Sequence, residues 1–129
     1  MAIPSGGGSE VLRTGIQKVV STTWLDIISV INTHIYTVLS ITFCEQDGVD
    51  THKANIRLYD GSAGYEILAT EQVPKRGTFV WNDKLVLNGS DLNTETSGTN
   101  NWKLQVKNTA AANSAGLMVM CSYIDQDWT

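Results

Sequence analysis

The chain has 129 residues, of which 42% are hydrophobic and 17% are charged, and its formal net charge is −4. This length suits one domain with a two-layer core, and the acidic balance lacks the basic stripe that a nucleic-acid partner requires. No apolar run approaches the roughly 20 residues of a membrane span, and residues 1–9 lack the basic and apolar regions of a signal peptide. We therefore expect one domain that is made in a reducing cytoplasm and binds neither nucleic acid nor a membrane.

Residues 1–9 form a leader that contains three consecutive glycines. Fixing a glycine backbone costs more entropy than fixing any other, so the leader predicts a flexible arm. Ile3 and Pro4 give this arm an apolar tip that can lie across a neighbouring subunit, but from these residues alone a frayed terminus is slightly favoured. The predicted organisation is an arm over residues 1–9 and a single β-domain over residues 10–129.

The first two predicted strands cover residues 10–20 and 22–31. The first alternates regularly, with Val11 facing one way and Leu12 the other. The apolar residues of the second, which include Trp24, also fit a helical spacing, and Ser21 could cap a helix. The density of β-branched residues favours a strand over this helix.

Residues 34–60 predict two strands joined by the acidic, glycine-containing loop 45–50. In the first strand the alternation predicts that one face carries Ile35, Thr37, Leu39, Ile41 and Phe43 and that the other carries Tyr36, Val38, Ser40 and Thr42. The second strand alternates equally well over residues 53–59. Both are rich in the β-branched and aromatic residues that suit a pleated surface.

The rest of the chain continues this pattern. Asp60-Gly61 is a strong hairpin signal, and further strands are predicted over 65–72, 78–87, 102–107 and 117–124, with 125–129 as a tail. About eight short strands separated by turns predict an all-β fold, an antiparallel β-sandwich of the jelly-roll type. The tryptophans are spread along the chain and are interpreted as core anchors. Trp128 is the exception, because a ring so near the C-terminus is pinned to this domain or buried against a partner.

No arrangement of residues predicts catalysis, a cofactor or a metal. His34 is expected at a strand edge and His52 in a solvated loop, and nothing positions a serine nucleophile beside either. Cys44 and Cys121 are expected to be two reduced thiols, although they could bridge if their strands were neighbours. The chain is therefore not expected to be an enzyme.

Two acidic clusters have a possible role in calcium binding. The first contains Glu45, Asp47 and Asp50, but its spacing differs from the twelve-residue calcium loop, and a solvated hairpin tip is favoured. The second contains Asp125 and Asp127, which we expect to set the solubility or the partner register of the tail.

Four stretches together resemble a known family. They are Ile3-Pro4-Ser5-Gly6-Gly7-Gly8-Ser9-Glu10-Val11-Leu12-Arg13, His34-Ile35-Tyr36-Thr37-Val38-Leu39-Ser40-Ile41, Tyr59-Asp60-Gly61-Ser62 and Cys121-Ser122-Tyr123-Ile124-Asp125-Gln126-Asp127-Trp128. In these stretches the chain resembles the β-sandwich decoration, or cement, proteins on the outside of the heads of tailed bacteriophages.

This resemblance implies a structural virion protein, a homotrimer that binds the major capsid protein at the capsid surface and is made in the cytoplasm of the host bacterium. It also implies that the N-terminal arm reaches onto neighbouring subunits and that the C-terminal tryptophan anchors the protein. The partner-binding residues are then Met1, Ala2, Ile3, Pro4 and Trp128.

Two alternatives stay open. One is another phage virion component of the tail, neck or baseplate. The other is a glycan-binding β-sandwich module, in which Trp102 or Tyr65 would present an exposed ring beside Asn100 or Asn101.

Overall fold

The computed structural model describes residues 9–19, 23–46, 48, 52–89, 102–109 and 116–127. The strands in these ranges are β1 (Ser9–Val19), β2 (Leu25–Ser29), β3 (His34–Glu45), β4 (His52–Tyr59), β5 (Gly64–Val73), β6 (Thr78–Trp81), β7 (Leu85–Asn88), β8 (Lys103–Asn108) and β9 (Leu117–Asp127). Within the same ranges, no helix is long and apolar enough to cross a membrane.

The strands form two antiparallel sheets. Sheet A has the order β1-β9-β3-β6, with β7 also paired to β3, and sheet B has the order β2-β8-β4-β5. Because β6 and β7 pair with successive parts of β3, they are two halves of one interrupted strand. Counted in this way, eight strands divide equally between two sheets and the chain repeatedly crosses between them. This is the jelly-roll arrangement, and the prediction of an all-β sandwich of this type is confirmed.

The core lies between the two sheets. Its largest fully buried side chains include Phe43, Ile41, Leu87 and Leu117 from sheet A, with Ile56 and Leu104 from sheet B. Completely burying one such side chain contributes about 1.5–3 kcal/mol. The two layers are therefore held together mainly by apolar contact.

The loop after β3 is not a hairpin tip, and this prediction is wrong. β3 belongs to sheet A and β4 to sheet B, so residues 45–52 carry the chain across the sandwich. Glu45 at the end of β3 is 1% exposed and His52 at the start of β4 is fully buried. The expectation that His52 is solvated is wrong for the same reason, because the crossing brings both residues beneath the rim of the core.

The predicted faces of β3 are also wrong. Its pairing with β9 shifts register between Val38 and Ser40, so Leu39 is an extra residue. An extra residue resets the alternation of the strand, and Val38 and Ile41 therefore both point into the core. Leu39 itself is 45% exposed.

Several other predicted elements are confirmed, with shifted bounds. Residues 25–29 form a strand rather than a helix. The predicted tail over 125–129 is wrong at its start, because β9 continues through Asp127, so Asp125 and Asp127 belong to a strand. The predicted strand over 78–87 is broken between Trp81 and Leu85.

The Asp60-Gly61 hairpin is present. Asp60 Oδ1 accepts hydrogen bonds from the N–H groups of Ser62 (2.8 Å) and Ala63 (2.6 Å), and Gly61 adopts a φ of 96°. These bonds to the ionised carboxylate hold the pKa of Asp60 below its usual value. Turn chemistry that was evident in the sequence therefore fixes this connection.

Candidate interaction surfaces

The outer face of sheet A carries exposed apolar side chains in two rows. Two rows of side chains cross it in register, one through Leu12, Ile124, Thr37 and Val86 and the other through Ile16, Met120, Thr42 and Val80. Leu12 is 68% exposed, Ile16 62% and Val86 59%. A polar row of Thr14, Ser122 and Ser40 lies between these two rows. Exposed apolar side chains grouped on one face of a sheet mark an interaction site in a folded protein. We call the surface formed by these two rows and Leu39 the outer face of sheet A.

The outer face of sheet B has a different chemistry. The Arg57 guanidinium lies 4.3 Å from the ring centroid of Trp24 and 4.6 Å from that of Tyr59, and Lys107 Nζ lies 4.6 Å from the Trp24 centroid. Arg57 Nε also donates to Gln105 Oε1 at 2.8 Å. These cation–π contacts and hydrogen bonds already engage the polar groups of this face with one another.

Trp24 was expected to be a core anchor, and the structure places it differently. It is half-buried, and its ring packs against the guanidinium of Arg57 on the outer face of sheet B. Trp81 is buried in the core as predicted, and Trp102 packs against the edge of the core. No signal in the sequence indicated this contact, because Arg57 and Lys107 lie far from Trp24 in the chain.

Tyr65 and Trp102 form a second aromatic feature. Their rings stack with centroids 6.2 Å apart and an angle of 21° between their planes. Tyr65 is 54% exposed. The neighbouring Asn100 and Asn101 lie outside the described residues.

A polar cluster occupies one end of the space between the sheets. Asp125 Oδ1 lies 2.7 Å from His34 Nδ1, and Asp125 Oδ2 accepts a hydrogen bond from Arg13 Nε at 3.1 Å. The second ring nitrogen of His34 lies 3.5 Å from Asp127 Oδ1. Both nitrogens of His34 therefore face carboxylates, and neither is directed at a serine hydroxyl as a catalytic triad requires.

Two tyrosines border this cluster. Tyr36 accepts a hydrogen bond from the N–H of Ile31 at 3.2 Å, and burial raises the pKa of its phenol to about 12. Burial also raises the pKa of Tyr123. Their contact with His34 and Asp125 is a packed structural arrangement that the sequence did not reveal, because its members lie in two strands, β3 and β9, that are far apart in the chain.

A second buried polar cluster joins the ends of the three strands β3, β4 and β8. Glu45 accepts hydrogen bonds from the backbone N–H groups of Gly48 and Arg76, and its Oε1 lies 3.5 Å from His52 Nε2. The other ring nitrogen of His52 lies 2.8 Å from Asn108 Nδ2. Glu45 is thus a structural acceptor, and Asp47 and Asp50 lie outside the described residues. Among the described side chains, no three His, Cys, Asp or Glu residues are placed to hold a metal ion.

The two cysteines are free and lie on opposite faces of sheet A. Cys121 is opposite Ile41 in the core, whereas Cys44 is opposite Met118 on the outer side. Burial raises the pKa of the Cys121 thiol to about 12. The sheet itself separates the two sulfur atoms.

The predicted partner-binding residues all lie outside the described part of the chain, and they are Met1, Ala2, Ile3, Pro4 and Trp128. The strands that lead to them are described. Ser9, which was assigned to the arm, is the first residue of β1 and lies directly opposite Asp127, the last residue of β9. Ser9 and Asp127, the described residues nearest to them in the chain, therefore lie at the same corner of sheet A.

No protein-family model and no curated protein sequence matches the chain. Among solved structures, the chain is similar to a protein of the T13 IBDV viral particle, with a TM-score of 0.51 and 10% sequence identity over 95% of this chain. A pentameric capsid protein isolated from metagenomic phage sequences aligns over 90% of this chain, with a TM-score of 0.46 and 14% identity. This chain spans 36% of the length of the first protein and 61% of the second. The likeness to the IBDV protein establishes a shared fold.

Proposed function

We propose that this chain is a structural virion protein, a decoration or cement protein that binds the outside of a phage head. The observation that carries this proposal is the exposed apolar outer face of sheet A, on a jelly roll whose fold is shared with a protein of a viral particle. In the proposed role, the protein joins neighbouring copies of the major capsid protein and stabilises the joints between them.

The shape and chemistry of the outer face of sheet A suit this role. Specific protein interfaces commonly bury about 1,200–2,000 Å² in total, and their centres are apolar. The side chains of Leu12, Ile16 and Val86 stand on a preformed sheet, so binding orders few groups that were previously free. A subunit that bridges a joint in this way adds interface that must break before the shell opens.

The corner at Ser9 and Asp127 suits a second attachment point. Residues 1–8 and Trp128 continue from neighbouring positions of β1 and β9, so an arm and an aromatic anchor can engage one partner together. In a homotrimer three such corners attach in concert, and the effective concentration of the second and third is high. The ordering of an arm costs entropy that this shared attachment offsets.

A co-sedimentation assay with heads that lack decoration protein tests the proposal. We expect Val86→Asp to weaken binding at least tenfold, because a carboxylate buried in an apolar interface loses its hydration. Ile67→Asp is the matched control, since Ile67 is 40% exposed but lies on β5 of sheet B. Equal binding of both variants and the wild type would overturn the proposed surface.

Two further variants test the corner. Deletion of residues 1–8 and Trp128→Ala should each weaken head binding while the trimer, measured by light scattering, persists.

Isolated tails in the same assay distinguish a tail, neck or baseplate component, because such a protein would sediment with tails and not with heads. Heads that are bound but burst as easily as bare heads would contradict the cementing role.

Glycan binding is a second candidate, favoured by the exposed ring of Tyr65 stacked on Trp102. Sugar rings stack on exposed aromatic faces, and the Tyr65 ring offers such a face. Calorimetric titration with a panel of oligosaccharides tests this function, with Tyr65→Ala expected to abolish the heat of binding. A panel without any binding sugar would remove this candidate.

A further inference from the structure

β1 is an edge strand in the part of the chain that the structure describes. It pairs with β9 along its whole length, from Ser9 opposite Asp127 to Val19 opposite Leu117, and its other edge faces no described strand. Strands in globular proteins are usually 3–10 residues long, and β1 has 11. A long edge with unpaired N–H and C=O groups is a template for pairing with another chain.

The sequence of β1 is complementary to itself in an antiparallel arrangement. When a two-fold axis perpendicular to the sheet passes midway between Thr14 and Thr14 of a second copy, residues equally distant from Thr14 face one another. Glu10 then lies opposite Lys18 of the second copy, and Leu12 lies opposite Ile16. Opposite charges and apolar pairs in directly opposed positions both stabilise a sheet.

These four residues lie on one side of the sheet. Leu12 and Ile16 are both more than half exposed on the outer face of sheet A. The Glu10 carboxylate is on the same side, where it accepts a hydrogen bond from Gln126 Nε2 at 3.1 Å. The side chain of Lys18 shares this side because the alternation of β1 is regular along its pairing with β9.

The opposite side of β1 accommodates the same arrangement. Arg13 lies opposite Gly15 of the second copy, and a Cβ placed on Gly15 meets nothing within 4 Å. The large side chain of Arg13, which binds Asp125, therefore faces a glycine that has no side chain to obstruct it. Among the described residues, neither side of the strand presents a steric obstacle to pairing.

Neighbouring registers lack this complementarity. A pairing centred on Arg13 would place Glu10 opposite Ile16, and a pairing centred on Gly15 would place Leu12 opposite Lys18. Both arrangements set a charge against an apolar side chain. Charged residues on an edge strand normally oppose association. In the arrangement centred on Thr14, however, Glu10 of one copy and Lys18 of the other attract each other.

We propose that β1 pairs with β1 of a second copy of this chain, antiparallel and centred on Thr14. The two copies of sheet A become one continuous sheet with a single apolar outer face. This two-fold contact is separate from the three-fold association proposed above, and it does not depend on a virion role. The protein can therefore fail to bind heads and still pair through β1, and it can bind heads without pairing through β1.

Cysteine cross-linking tests the register directly, in chains that carry Cys44→Ser to remove the half-exposed native thiol. Thr14→Cys lies next to the axis and should form a disulfide with its own copy under mild oxidation, because directly opposed Cβ atoms in a sheet approach to about 4.5 Å, the upper end of the separation that a disulfide spans. Leu12→Cys and Ile16→Cys should each stay uncross-linked alone but cross-link when mixed. Equal cross-linking in every sample, or none in any, would overturn the proposal.

Charge reversal gives an independent measurement in the otherwise unmodified chain. Glu10→Lys and Lys18→Glu should each raise the dissociation constant of the pair roughly tenfold, since symmetry makes every single reversal create two like-charge contacts. The double variant should restore the constant to within about twofold. Circular dichroism checks that all variants fold, and a double variant as weak as the single ones would contradict the predicted register.

Discussion

The Arg13 guanidinium donates a hydrogen bond to the Asp125 carboxylate although 112 residues separate them in the chain. The contact joins β1 to β9, and the same carboxylate lies 2.7 Å from His34 of β3. One buried acid therefore connects the three neighbouring strands of sheet A near the corner formed by Ser9 and Asp127.

Asp125→Asn should lower the free energy of unfolding by about 1–3 kcal/mol, because Arg13 and His34 lose a charged acceptor at a site that is only 8% exposed. Asp127→Asn is the control, since the Asp127 side chain is 32% exposed and 3.5 Å from His34. We expect that variant to change stability by less than about 1 kcal/mol. Urea unfolding measures both, and equal losses would show that Asp125 has no special role.

Asn55 supports an irregular part of sheet B. It is 1% exposed, its Oδ1 accepts a hydrogen bond from the N–H of Thr70 at 2.8 Å, and its Nδ2 donates to the carbonyl of Lys53 at 3.1 Å. The pairing of β4 with β5 shifts register here, and Thr70 has a φ of 53°. The side chain replaces ladder hydrogen bonds that the bulge removes.

Asn55→Ala should therefore destabilise the protein by about 1–3 kcal/mol, because buried backbone groups lose their partners. Asn82→Ala, at an exposed position between β6 and β7, should stay within about 0.5 kcal/mol of the wild type. Hydrogen exchange of the Thr70 amide gives a local readout. Unchanged protection of that amide in Asn55→Ala would contradict the assigned role.

Stability should fall at alkaline pH. Burial raises the pKa of Tyr36 from 10.0 to about 12 and that of Cys121 from 9.0 to about 12. Both groups ionise in the unfolded chain before they ionise in the folded one, so the unfolded state loses protons first as the pH rises. The stability that these groups contribute is complete below about pH 9 and is lost progressively up to about pH 12.

Urea titrations at about pH 8, 10 and 11 measure this loss, and Tyr36→Phe and Cys121→Ala should each make it smaller. Each variant has its own stability at pH 8, so the comparison rests on the change with pH. If the variant with both Tyr36→Phe and Cys121→Ala loses stability with rising pH as steeply as the wild type, other groups cause the alkaline loss of stability.

Gly89 and Gly15 should respond differently to the same substitution. A Cβ on Gly89 would collide with the backbone carbonyl of Ile31, whereas a Cβ on Gly15 meets nothing within 4 Å. Gly89→Ala should cost about 1–3 kcal/mol through the backbone shift it forces. Gly15→Ala should be neutral or stabilising by a few tenths of a kcal/mol, because alanine restricts the unfolded chain. Thermal unfolding checks the pair, and a reversed order would contradict the packing at Gly89.

Local chemistry in the sequence was enough to predict most strands and one turn. A period of two requires opposite faces for successive side chains, and Asp60-Gly61 supplies both a carboxylate acceptor and a residue that tolerates positive φ. The same period carries no information about which sheet a strand joins. The link from β3 to β4 was therefore predicted as a hairpin, although it crosses the sandwich.

The sites were less predictable than the strands. The bulge at Leu39 adds one residue, and only the pairing with β9 reveals it, although apolar residues on both predicted faces of β3 were a visible sign. The environment of Asp125 depends on contacts across sheet A that alternation does not specify. By contrast, the complementarity of Glu10 with Lys18 can be read directly from the sequence once β1 is known to be an edge.

The position of β9 has a consequence for synthesis of the protein. β9 is the last described strand in the chain, yet it lies between β1 and β3 in sheet A. While the chain is still on the ribosome, β1 and β3 have already emerged but lack the strand that must separate them. Nascent chains with unpaired apolar strands are prone to aggregate. A translation product that stops before Leu117 therefore cannot build sheet A, and quality control in the cell would encounter it as an incomplete sandwich.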